Sequence, residues 1–224
     1  MNKVKIDTKI NKDELLFANA FLKEHFDRIV DWAVGDIKRC CRIQPDGNCD
    51  DGGALVGAFI LWCCAIEYFG GLFTGNPNGG GTKARMQDFI EKYMPRYDYL
   101  KIYDLRWSLL HYYSPHHFAL CHENNLIANK KRHLSQSDKG IILHLGWSVK
   151  DLEDGVNQYK RDLESNDLLK MKAWKYYKKQ YPIMPIKVEE IRTSTLSSLA
   201  SGTSVQSLSA SGTVSEVTWT KKYS

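Results

Sequence analysis

Proline is scarce, 6 in 224 residues, and the common cysteine patterns are missing. Cys40, Cys41, Cys49, Cys63, Cys64 and Cys121 include two adjacent pairs and no Cys-x-x-Cys. That spacing fits neither a secreted disulfide framework nor a zinc ribbon, so the cysteines read as reduced thiols. No apolar run follows the opening MNKVKIDTKINKDELL to act as a secretory signal, which leads to the expectation of a cytoplasmic protein. An uninterrupted membrane-spanning run is also lacking: residues 54–73 come near the required length, but Glu67 breaks them. The expectation is the central helix of a bundle, apolar on nearly every side, and no membrane partner. Strong charge of one sign is absent too. Lys+Arg 31 against Asp+Glu 26 gives +5, which permits an anionic partner without demanding one.

What is present is a chain 43% apolar and 12% aromatic, enough for one large or two small folded domains. Residues 13–41 carry Leu15, Leu16, Phe17, Phe21, Leu22, Phe26, Ile29, Val30 and Ala33 at helical spacing. Pro45-Asp46-Gly47-Asn48 is a turn, and a second helix is expected over 53–73. After the Gly/Asn-rich loop 75–81, Thr82 caps a short helix with Met86, Phe89, Ile90 and Tyr93, which Pro95 ends. A fourth helix runs from about 99 to 111 and stops before Ser114-Pro115, because the residue preceding proline avoids helical geometry. Two short apolar runs, 118–122 and 140–147, flank a polar stretch and predict a small antiparallel hairpin. Residues 148–165, capped by Ser148 with Asp151 three residues on, and residues 167–181 predict two further helices. From Thr193 the chain turns Ser/Thr-rich, with no charge between Arg192 and Glu216, so residues 193–224 read as a disordered tail with a weak strand near 214–219. The expected class is mainly α: one domain over 1–192, with a four-helix core at 13–115, then the hairpin and two extra helices over 116–182.

The most informative segment is Asp104-Leu105-Arg106-Trp107-Ser108-Leu109-Leu110-His111. Arg106 and His111 lie about 140° apart around a helix axis, yet long side chains at a helix end reach one cleft. The pair supplies a positive fork for a phosphate and a group that titrates near neutral pH. The bland alternative pairs Arg106 with Asp104, Glu67 or another acid, while His111 caps a helix end.

A helical bundle ending in DLRWSLLHYYSP resembles the HEPN superfamily, whose signature is Arg, four to six variable residues, then His on the last helix of a four-helix core. The match covers roughly residues 10–115 and rests on Arg106 and His111, with Asp104 and Leu105 also family-like. The resemblance implies a metal-independent endoribonuclease that needs no cofactor and works as a homodimer, with the Arg-His pairs of two copies forming one cleft. There the RNA 2′-hydroxyl attacks the neighbouring phosphate and leaves a cyclic phosphate. His111 would move the proton and Arg106 would steady the charge on phosphorus. Asp104, Ser108 and Tyr112 would flank the substrate. A defence or toxin role, with a protein antitoxin as partner, belongs to the same implication. Trp107 stands where the family commonly carries a polar residue, which favours a second reading, a non-catalytic helical dimerisation module.

Other patterns are weaker. Residues 46–57 begin like a calcium loop but end in Gly57 where a bidentate Glu is needed. The loop 75–83 has Thr and Lys in the wrong order for a phosphate loop. His116, His117, Cys121 and His122 are the densest ligand group and read as surface residues near a turn, so no metal is expected. Lys130, Lys131 and Arg132 form a basic run suited to a phosphate backbone, and Trp174-Lys175-Tyr176-Tyr177 interleaves aromatics with cations.

Overall fold

The computed structural model describes residues 12–43, 53–76, 81–122 and 130–180, all within one compact unit, Met1–Pro182. The turn at 45–48, most of the calcium-like loop and the tail at 193–224 lie outside the described residues.

The expected first helix is present with an interruption. Helix α1 (Lys12–Phe21) passes through a π-helical turn, Leu22–Phe26, into α2 (Asp27–Cys40). Phe21 and Phe26 are five residues apart and would diverge on a regular α-helix. The wider turn brings both inward, their rings 6.4 Å apart, with Phe21 on Tyr177 and Phe26 on Phe69 and Tyr159.

Helix α3 (Leu55–Thr74) is the apolar segment that Glu67 interrupts. It is long and apolar enough to cross a membrane, yet here it is the axis of the bundle. Helix α2, α4 (Gly81–Tyr93), α5 (Tyr99–Tyr112), α6 (Leu145–Ser165) and α7 (Asp167–Lys179) all pack against it. Phe59, Trp62, Ile66, Phe69 and Leu72 on α3 are fully buried. Gly70 permits a close crossing: a Cβ there would strike the backbone carbonyl of Arg85 on α4. Gly75, at φ 71°, then closes α3 with its N–H on the Gly71 carbonyl at 2.9 Å.

Two boundaries differ from expectation. The apolar runs do not form an antiparallel hairpin: β1 (Phe118–Cys121) pairs in parallel with β3 (Gly140–His144), and the antiparallel partner of β3 is the two-residue β2 (Gln136–Ser137). The tight reversal falls at Asp138-Lys139, after β2, which is too short and polar to show in the hydrophobic pattern, so the hairpin joins β2 to β3 and not β1 to β3. Helix α6 also begins at Leu145, three residues before the Ser148 cap that the pattern suggests. Its cap is His144, whose Nδ1 accepts from the Trp147 N–H at 3.4 Å, and the Ser148 hydroxyl donates to the His144 carbonyl at 2.9 Å. Leu145, Gly146 and Trp147 are buried, so apolarity alone does not separate strand from helix there.

Candidate functional site

Helix α5 starts at Asp98, whose carboxylate accepts from the Leu100 and Lys101 N–H groups at 3.0 and 3.4 Å. Ile102, Leu105 and Leu109 face the core, which fixes the rotation of the helix and sends its other residues to two places.

Arg106 turns toward α3. Its Nη2 lies 2.7 Å from Glu67 Oε2, while Glu67 Oε1 receives Arg85 Nη2 at 2.5 Å and the Thr82 hydroxyl at 2.7 Å. Thr82 therefore binds Glu67 from the first turn of α4. The three charged side chains are only 12–22% exposed. Burial alone pushes the Glu67 carboxyl up, but hydrogen bonds from Thr82 and Arg85 and the charges of both arginines outweigh it and hold the pKa below its ordinary value. Two guanidiniums against one carboxylate leave the cluster with one surplus positive charge. Among the described residues, the Nε atoms of Arg85 and Arg106 are buried without hydrogen-bond partners. Cys63 and Cys64 sit one turn away on α3. Burial pushes both thiols up more than Arg106 lowers them, so neither is a thiolate nucleophile.

His111 goes the other way. It is exposed, its ring 5.2 Å from that of Trp107, which also meets Tyr112 edge-on at 5.1 Å. Leu100, Trp107 and Leu110 are each more than two-fifths exposed, and Tyr112 and Tyr113 more so, making an apolar outer stripe along α5. Asp104 is exposed on the same side. Ser108, expected at the substrate, is buried with its hydroxyl turned back onto the Leu105 carbonyl at 3.2 Å. Arg106 and His111 thus serve different neighbours within one copy of the chain.

Lys130, Lys131 and Arg132 are exposed in the turn before β2, with Lys130 Nζ 5.2 Å over the Trp147 ring. The residue after the run, His133, is buried. Its Nδ1 accepts the His144 backbone N–H at 3.2 Å, which places the ring hydrogen on Nε2, 2.9 Å from Tyr97 Oη and 3.4 Å from Asp151 Oδ2. The Tyr97 hydroxyl donates to Asp151 at 2.9 Å. Burial, opposed by hydrogen bonds from His133 and Tyr97 and by the charge of Arg96, leaves the Asp151 carboxyl below its ordinary pKa. This network pins the basic turn to α6.

Among the described residues no three His, Cys, Asp or Glu side chains gather in a way that would hold a metal. No family model, curated protein or solved structure matches the chain.

The Arg85–Thr82–Glu67 cluster and the His133 network were not singled out by sequence. The first had a signal, a lone carboxylate inside an apolar helix, which must be paired if it is buried. The second had none, since His133 sits at the end of a basic run, which carries no sign of burial.

Proposed function

We propose that this chain is an HEPN-like protein that associates through the outer face of α5 and acts on RNA at the paired faces. The observation that carries this reading is the exposed stripe of Leu100, Trp107 and Leu110 with His111 inside it. Isolated large apolar side chains are ordinary on a surface, but a stripe at helical spacing marks a contact face. Asp104 and His111 lie seven residues apart on that face, a rise of about 10 Å. A two-fold axis between Trp107 and Ser108 sets Asp104 of each copy opposite His111 of the other, so the face is self-complementary, as a two-fold interface requires. In each copy Arg106 stays on the α3 side of the helix, paired with Glu67, so it would have to leave that pair to reach the groove beside His111. There His111 would transfer the proton of the attacking 2′-hydroxyl and Arg106 would stabilise the charge developing on phosphorus.

The Arg106–Glu67 ion pair favours a second reading, in which Arg106 is structural and the α5 face only holds two copies together. One experiment separates them. The purified protein and His111→Ala are incubated with structured and single-stranded RNAs in EDTA, while light scattering reports the oligomeric state. His111 is exposed, so its removal leaves the fold intact. A dimer whose cleavage survives chelation, yields cyclic phosphates and disappears in His111→Ala supports the nuclease. A dimer that cleaves none of them supports the scaffold, and a monomer refutes both.

A further inference from the structure

We infer that α1 and α7 together form a face that lies against an anionic membrane surface. Leu16 and Phe17 on α1 are 72% and 57% exposed. Phe17 stacks on the half-buried Trp174 of α7, the rings 6.0 Å apart and 17° from parallel. One turn beyond Trp174, Lys178 reaches Glu14 on α1 at 3.0 Å, which ties the two helices side by side. On α7, Leu168, Lys172, Lys175 and Lys179 are all exposed, and their spacing of four, three and four residues sets them in one stripe along the helix. The helix carries five lysines against one aspartate, a net charge of +4.

Charge and apolarity together select the partner. Base stacking on the interleaved aromatics is closed off, because Tyr176 and Tyr177 are buried and Phe17 covers one side of the Trp174 ring. What faces outward is a pair of large apolar side chains beside a stripe of lysines. An anionic bilayer meets both: Leu16 and Phe17 enter the boundary between headgroups and acyl chains, while the lysines lay their stems on the surface and keep their ammonium groups at the lipid phosphates. Trp174 then stands at headgroup level, where indole rings concentrate. Each lysine near such a surface adds an attraction that salt screens. The expectation of no membrane partner rested on Glu67 interrupting α3, which bears on spanning a bilayer and not on lying against one. None of these residues is on α5, so the inference stands apart from the α5 reading.

The test is sedimentation of the full chain with vesicles of phosphatidylcholine alone or of phosphatidylcholine mixed with phosphatidylserine. The mixed vesicles should bind it, less strongly as salt rises, and the neutral ones should not. Leu16→Ser removes an outward apolar side chain without touching the core and should weaken binding about tenfold. Lys172→Ala and Lys175→Ala should each weaken it about fivefold. Lys83→Ala removes an exposed cation on α4 and should change little. The inference is overturned by absence of binding to the mixed vesicles, by equal binding to the neutral ones, by unchanged binding of Leu16→Ser, or by a Lys83→Ala loss as large as that of Lys175→Ala. Binding of single-stranded RNA that Lys175→Ala weakens, without binding of the mixed vesicles, assigns the stripe to nucleic acid and overturns the inference as well.

Discussion

Glu67→Gln tests whether Arg106 is held as described. The substitution keeps the size of the side chain and one carbonyl acceptor, but it removes the carboxylate that Arg85 and Arg106 share. Removing one partner of a buried ion pair costs about 3–5 kcal/mol, because the remaining charge is stranded. Here two cations would be stranded. Exposures of 12–22% admit some solvent screening, and the retained carbonyl still accepts the Thr82 hydroxyl. We therefore expect a loss of about 2–4 kcal/mol, which for a chain of this size lowers Tm by roughly 5–15 °C. Urea unfolding followed by circular dichroism measures it directly. Adding Arg106→Ala to Glu67→Gln removes one of the unopposed cations, so the double variant should lose about 1–2 kcal/mol less than the sum of the singles. A Glu67→Gln loss under about 1 kcal/mol, with strict additivity, would mean that the cluster behaves as hydrated surface charge and that the anchoring of Arg106 has been misread.

Gly70→Ala sets a Cβ against the Arg85 carbonyl and must push α4 away from α3; we expect a loss of about 1–3 kcal/mol or more in unfolding free energy, and a loss below that range would show the crossing to be looser than described. Tyr97→Phe removes the hydroxyl that links Asp151 and His133, with an expected cost of about 1–3 kcal/mol in the same assay. Leu110→Glu places a charge on the α5 stripe and should weaken self-association at least about tenfold in sedimentation while leaving unfolding within about 0.5 kcal/mol of the parent. Glu67 and Asp151 have folded-state pKa values below their ordinary 4.5 and 3.8, so each contributes stability that is present above those values and is lost as pH falls through the lower folded values. Stability measured against pH should accordingly fall on the acid side of about 4.5, and Glu67→Gln should lose part of that slope.

The helices were legible because their signals are periodic and repeated. Residues 99–112 have core positions such as Leu105 and Leu109 at helical spacing and a proline beyond the end, and these agree with each other; the Asp98 cap was seen only in the structure. The sheet was misread because β2 holds two residues and gives no pattern, and because Leu145-Gly146-Trp147 is apolar without period. Glu67 was visible as a possible partner of Arg106, since a carboxylate in an apolar helix needs a cation. That Arg85 and Thr82 would join it depends on the α3–α4 crossing at Gly70, which is a tertiary fact. The burial of His133 is likewise set by Tyr97 and Asp151, distant in sequence.

The Arg106–Glu67 pair does not by itself decide between a catalytic and a structural arginine. A guanidinium has five donors, and Glu67 engages Nη2 of Arg106. An arginine that must meet a phosphate gains from being held in advance, because less side-chain freedom is lost when substrate arrives. The same bond also lowers the field that the arginine presents, and only the second cation, Arg85, restores a net positive charge to the cluster. Arg85→Gln separates these effects. It leaves Arg106 paired with Glu67 one to one and makes the cluster neutral. If Arg106 acts on phosphate, Arg85→Gln should lower RNA cleavage and flatten its salt dependence although Arg85 lies on a different helix. If Arg106 is structural, the variant should shift stability alone and leave dimerisation through α5 unchanged.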